Sequence, residues 1–244
     1  MPAYVRRTIE QFIREDEARI LGSLQEAYAA DGFASQYTRQ TKAWARVVPQ
    51  LQRIFVQLLS IRPEAHEWPV LLEYPLYRLR RRIDVVLLAG SLVVVVECKV
   101  GAEAFAAEDR RQVEEYALDL RDFHAASYGR TIVPVLWSTD APASGDTAWP
   151  TIKPRDGTVG EVVEVGAGGL LDFLATISLP EGDAKLLGEQ WDRSGYKPVP
   201  NVIEAATSIF AGHDVRSIAN ADADNLRVAA MRLLELIEEA HGAS

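Results

Sequence analysis

Cysteine is almost absent: Cys98 stands alone among 244 residues, which excludes an internal disulfide framework and a cysteine-rich zinc site. Histidine is scarce too, and His66, His124, His213 and His241 show no metal-ligand spacing. No G-x-x-x-x-G-K-[ST] occurs, so the chain carries no P-loop, and neither G-x-S-x-G nor a dinucleotide-binding glycine pattern is present. Residues 1–16 mix Arg, Glu and Asp with isolated apolar residues and lack a signal-peptide core. The longest near-apolar run, 85–96, is too short for a bilayer and is interrupted by Gly90 and Ser91. These absences predict a soluble, cytoplasmic protein from a reducing compartment, with no membrane partner.

What is present is ordinary in bulk: 48% apolar and 25% charged residues suit a globular domain. The net charge of −9 argues mildly against a protein that coats nucleic acid without a defined site. A local basic run, Arg78, Arg80, Arg81 and Arg82, is the candidate nucleic-acid contact, although such a run is also what a solvated strand edge looks like.

Periodicity predicts helix first, then strands. Residues 8–30 carry Ile9, Phe12, Ile13, Ile20, Leu21 and Leu24 at close to helical spacing. Gly32 breaks that run, and Ser35 is a candidate N-cap for a second helix with Trp44, Val47, Val48, Leu51 and Phe55 on its buried side. Pro49 predicts a kink or break there. Strands are expected at 70–79, 82–88 and 92–100, the last with the LVVVV run of a central strand covered on both faces. A helix at 108–126 and a fourth strand at 131–137 follow. Residues 138–156 read as a loop, 159–165 as a strand and 169–177 as a helix, while 201–210 and 222–241 are helical in pattern. Three strands on short connections imply an antiparallel meander, with the helix crossing over to the fourth strand.

The hairpin between the second and third strands fixes the chemistry. With Gly90-Ser91 as a two-residue type II′ turn, Ala89 faces Leu92 and every cross-strand pair sums to 181. Asp84 then faces Glu97, Arg82 faces Lys99, and alternation places all four on one face of the sheet. Two opposed carboxylates need compensation. A divalent cation provides it, and hard oxygen ligands suit Mg2+ or Mn2+. Lys99 rises from the same face, where it can serve an attacking water or neutralise charge at phosphorus.

Asp84, then Glu97-Cys98-Lys99 after a hairpin, resembles the PD-(D/E)XK nuclease superfamily, with Ile83 in place of the motif's proline. Gln112 and Tyr116 add a Q-x-x-x-Y pattern on the next helix, similar to RecB-like nucleases. The resemblance covers roughly residues 35–140. It implies an α/β, restriction-endonuclease-like core (αβββαβ) at 35–180, with helical extensions at 1–34 and 181–244. It further implies metal ligation by Asp84, Glu97 and the Cys98 carbonyl, with Lys99 serving the water and Gln112 and Tyr116 steadying water or phosphate. Glu73, on the first strand beside Asp84, is a further candidate ligand. More loosely, the chain, including residues 191–215, looks like the N-terminal region of bacterial proteins in which such a domain precedes a helicase-like ATPase. The expected activity is Mg2+-dependent hydrolysis of nucleic acid, DNA first, in a phage-defence or DNA-repair setting. The competing expectations are a catalytically weak nucleic-acid- or partner-binding module and a regulator of a helicase-like ATPase. Oligomeric state stays open, with a dimer among the options.

Overall fold

The computed structural model describes residues 2–31, 37–142, 159–179 and 184–196, all within one compact unit, Met1–Tyr196. The helical patterns expected at 201–210 and 222–241 lie outside the described residues. Six strands form one mixed sheet in sequential order: β1 (Val5–Thr8), β2 (Pro69–Leu76), β3 (Arg81–Ala89), β4 (Leu92–Lys99), β5 (Ile132–Ser138) and β6 (Val163–Val165). The first four are antiparallel neighbours, and β4, β5 and β6 run parallel. The crossover between β4 and β5 is the helix α4 (Ala107–Phe123), because a parallel pair needs a connection long enough to return along the sheet.

Helices cover both faces. On one lie α1 (Ile9–Arg14), α2 (Glu17–Ala30), α3 (Tyr37–Ile61) and α5 (Gly169–Thr176), whose Phe12, Leu24, Phe55 and Phe173 pack on Leu72, Val94 and Val135. The other carries α4 and the short α6 (Gly188–Asp192), with Val113, Leu120 and Trp191 against Val86, Val93 and Val95. Burial on both faces explains the uninterrupted valines of β4, since strands covered twice lose the polar half of their alternation.

Two described segments near the chain's termini are tied to the sheet. Val5–Thr8 is not helical; it forms the sheet's edge strand, pairing Val5 with Leu72 and Thr8 with Pro69. Thr8 then caps α1 through a reciprocal bond pair with Gln11. Residues 184–196 also close on the core. Leu186 N–H donates to Gly90 O (2.8 Å), Ala3 N–H to Asp192 Oδ1 (2.8 Å), and buried His124 bonds Ser127 Oγ and Trp191 O. Helix α3 runs through Pro49 without a break. Its buried Val48 and Leu51 flank the proline, and their packing outweighs the lost hydrogen bond.

The hairpin register is the expected one: Ala89 pairs with Leu92 and Val85 with Val96. Gly90 has φ +64°, and Ser91 is not left-handed, which is the type II′ combination.

Candidate active site

The strand ladders stop where the expected site begins. Pairing of β3 with β4 ends at Val85–Val96, and that of β2 with β3 skips from Leu72–Val85 to Tyr74–Ile83. Glu73 and Asp84 stand at this break. Glu73 has φ +55°, a conformation that costs a non-glycine residue energy and persists only where its surroundings enforce it. The alternation inverts across it: Leu72 and Val85 belong to the α3 side of the sheet, Tyr74 and Ile83 to the α4 side. One expectation fails for this reason. Arg82 does not join Asp84, Glu97 and Lys99 on one face. It turns away to pair with Asp31, stack on Tyr4 (3.8 Å) and donate to Glu73 O (2.6 Å).

Asp84 reaches across the opened hairpin, where its Oδ2 accepts the Cys98 backbone N–H at 2.7 Å. The carboxylate thereby replaces the missing ladder bond. Glu97 is 5% exposed. Its Oε1 accepts from Lys99 Nζ (3.0 Å) and Gln112 Nε2 (2.7 Å), whereas its buried Oε2 has no partner among the described residues. Lys99 Nζ also meets Asp109 Oδ1 (2.9 Å) and Gln112 Oε1 (3.1 Å). Gln112 Nε2 donates to Tyr116 OH (2.6 Å), as the one-turn spacing of Q-x-x-x-Y on α4 allows. Cys98, between Glu97 and Lys99, packs toward the α3 side, and burial pushes its thiol well up; a thiolate ligand is disfavoured there. Glu73 turns toward α3, and its Oε1 accepts from Trp44 Nε1 and Gln40 Nε2, both at 2.7 Å.

Burial dominates the electrostatics. It raises Glu73 to about 7, with the Asp84 charge adding to the shift and the Trp44 and Gln40 bonds opposing it. It raises Asp84 to about 6 against the Cys98 N–H and the Lys99 charge. Glu97 also rises, by burial and then by the Asp84 charge. For Lys99 burial works against the charge, but Glu97 and Asp109 overcome it and the net shift is upward. Three carboxyl groups thus sit in a place that resists their negative charge.

These groups form the floor of an open cleft of about 1200 Å³ between α3 and α4. The four-arginine patch is divided by the fold. Arg81 lines the cleft, Arg80 is exposed on the preceding turn with φ +52°, and Arg78 is bound to buried Asp119 (2.7 Å) and stacked on Phe123. Sequence reasoning missed Asp109, which shares the Lys99 ammonium, and the cleft cations Lys42, Arg46 and Arg111. Asp109 lies three residues before Gln112, so the helical spacing that linked Gln112 to Tyr116 was the signal for it.

The residues fit a hard cation in one respect above all: Glu97 Oε2 is a buried carboxyl oxygen without a donor among the described residues, an arrangement that is costly unless a cation or proton meets it. Asp84 and the Cys98 carbonyl would complete an all-oxygen set. No group of three or more His, Cys, Asp or Glu poised for a metal occurs among the described residues, so the set rests on two carboxylates and a carbonyl. No described helix is long and apolar enough to cross a membrane. No family model matches the chain, and no curated protein or solved structure matches it.

Proposed function

We propose that this protein is a divalent-metal-dependent nuclease of the PD-(D/E)XK type, hydrolysing phosphodiester bonds of nucleic acid, DNA first. The observation that carries the reading is Glu97: one oxygen held by Lys99 and Gln112, the other buried without a partner among the described residues, in a carboxyl group whose ionisation the Asp84 charge opposes. Asp84, Glu97 and the Cys98 carbonyl would hold Mg2+ or Mn2+, which supplies Lewis acidity toward a phosphoryl oxygen. Lys99 keeps its proton at Nζ and offers positive charge where negative charge accumulates during displacement at phosphorus. Gln112 fixes both Glu97 and Lys99 in place, and the Tyr116 hydroxyl holds the Gln112 amide in the orientation that serves both.

Incubation with circular and linear DNA, with magnesium and with a chelator, tests the reading. Magnesium-dependent loss of either substrate supports it, and the circular form separates internal from terminal cleavage. The second reading is a binding module of low activity, attached to or regulating a helicase-like ATPase. It is favoured by the Lys99 ammonium, whose hydrogen-bonding capacity is already taken by Glu97, Asp109 and Gln112. DNA binding without cleavage in magnesium or manganese would select it.

A further inference from the structure

The cleft's two sides carry cations that the hydrolytic chemistry does not use. Building on the nuclease reading, we propose that the cleft is a two-banked phosphate track. Lys42 and Arg46 of α3 form one bank and Arg81 and Arg111 the other, gripping a nucleic-acid backbone across the carboxylate floor without reading its bases.

All four residues line the cleft. Helix α3 packs on one face of the sheet and α4, which carries Arg111, on the other. The cations therefore flank the floor from opposite sides rather than forming a single patch.

Availability separates them from the other arginines. Lys42 and Arg111 are exposed and have no hydrogen bond or ion pair among the described residues. Arg46 meets Asp140 only at 3.3 Å, with both side chains about half exposed (51% and 43%). Arg81 lies 3.9 Å from exposed Glu115. Such loose surface pairs are weak and can be exchanged for a phosphate. Arg78 and Arg82, by contrast, are bound to acids that are 0% and 4% exposed, and releasing either would leave a buried charge unpaired.

The occupant follows from charge and shape. A carboxylate floor repels a polyanion, so the substrate must be held by cations at the rim as well as by any metal at the floor. The cleft, at about 1200 Å³, exceeds the roughly 300–1,000 Å³ of small-molecule pockets, as a site for a polymer segment should. Its lining aromatic, Trp44, is buried and donates its Nε1–H to Glu73, so it offers no face for a base to stack on. Contacts to phosphate position a chain but carry no sequence information.

The test is equilibrium binding of the full chain to fluorescein-labelled duplex DNA, its single strand and the matching RNA. Calcium replaces magnesium, because the same oxygen ligands accept it. Lys42→Ala and Arg111→Ala should each weaken binding severalfold, equally for unrelated sequences. Each should flatten the plot of log affinity against log salt by about 0.9 on duplex or about 0.7 on single strand, and the size of the step tells which form occupies the track. Arg14→Ala, an exposed residue outside the cleft, should leave affinity and slope unchanged. Melting temperatures of the variants should match wild type, since neither Lys42 nor Arg111 has a partner among the described residues to lose. Unchanged slopes in a protein that still cleaves DNA overturn the track and leave the nuclease reading standing. Altered slopes in a protein that never cleaves support the track and reject the nuclease. A change on one bank only, or no binding at all, overturns the proposal.

Discussion

Lys99 Nζ lies between two carboxylates, 3.0 Å from Glu97 Oε1 and 2.9 Å from Asp109 Oδ1. Lys99→Met keeps the length of the stem and removes the charge. Cleavage should fall by about 10²-fold or more, the scale of losing a donor aimed at developing charge. The fold should survive with a lowered melting temperature, because Glu97 and Asp109 lose a charged partner, worth about 1–3 kcal/mol. Melting and cleavage measured on one preparation separate the two effects. Full activity in the variant would remove Lys99 from the chemistry.

The raised carboxyls give stability a pH slope of unusual sign. Asp84 at about 6 and Glu73 at about 7 bind protons in the folded state that the unfolded chain, near its ordinary carboxyl values, has already released. The folded state binds more protons in that window, so stability falls as pH rises. These groups should make the metal-free protein lose stability between pH 4 and about 7, where many proteins gain it. Thermal melting at pH 5 and pH 8 in a chelator checks this. Asp84→Asn with Glu73→Gln should flatten the slope, and a slope unchanged in the double variant would place its origin elsewhere.

Glu73 is a separate case. Its Oε1 is held by Gln40 and Trp44, so it braces α3 against a left-handed point of β2. Glu73→Gln retains an oxygen acceptor there and removes a buried charge. It should melt at or above wild type at pH 8 and keep its magnesium-dependent shift. A shift lost in this variant would make Glu73 a ligand instead of a brace.

How far the sequence carried the site can be judged at the hairpin. Gly90-Ser91 set the turn, and the pairing sum of 181 holds from Ala89–Leu92 to Val85–Val96, because turn type and loop length dictate register. Beyond Val85 the inference fails, since alternation presumes an unbroken pleat. Glu73 at φ +55° breaks it, and glutamate carries no sequence mark of a left-handed backbone. Arg82 was misplaced for that reason. The edge strand Val5–Thr8 was also missed, because four residues with Arg6 and Arg7 in the middle give no strand pattern of their own. Long-range pairing with Pro69–Leu76 makes it a strand, and no local window contains that partner.

Metal binding and stability should be coupled at Asp84. In the metal-free protein, burial resists ionisation of both Asp84 and Glu97, the Asp84 charge adds to the cost at Glu97, and Glu97 Oε2 has no donor among the described residues. A cation that binds only the assembled site stabilises the fold with the logarithm of its concentration, by about 2.7 kcal/mol at a hundred times the dissociation constant. For a domain of this size that is roughly 5–10 °C in melting temperature, taking about 2–4 °C per kcal/mol. Asp84→Asn keeps an oxygen that can accept the Cys98 N–H while removing one of the opposed charges. The metal-free variant should therefore melt at or above wild type, and its magnesium-dependent shift should largely vanish. Sodium at matched ionic strength should reproduce neither effect, because screening acts on exposed charges and these are buried. Equal shifts in wild type and Asp84→Asn would mean that the cation does not bind at this carboxylate, and the proposed centre would then have to be abandoned.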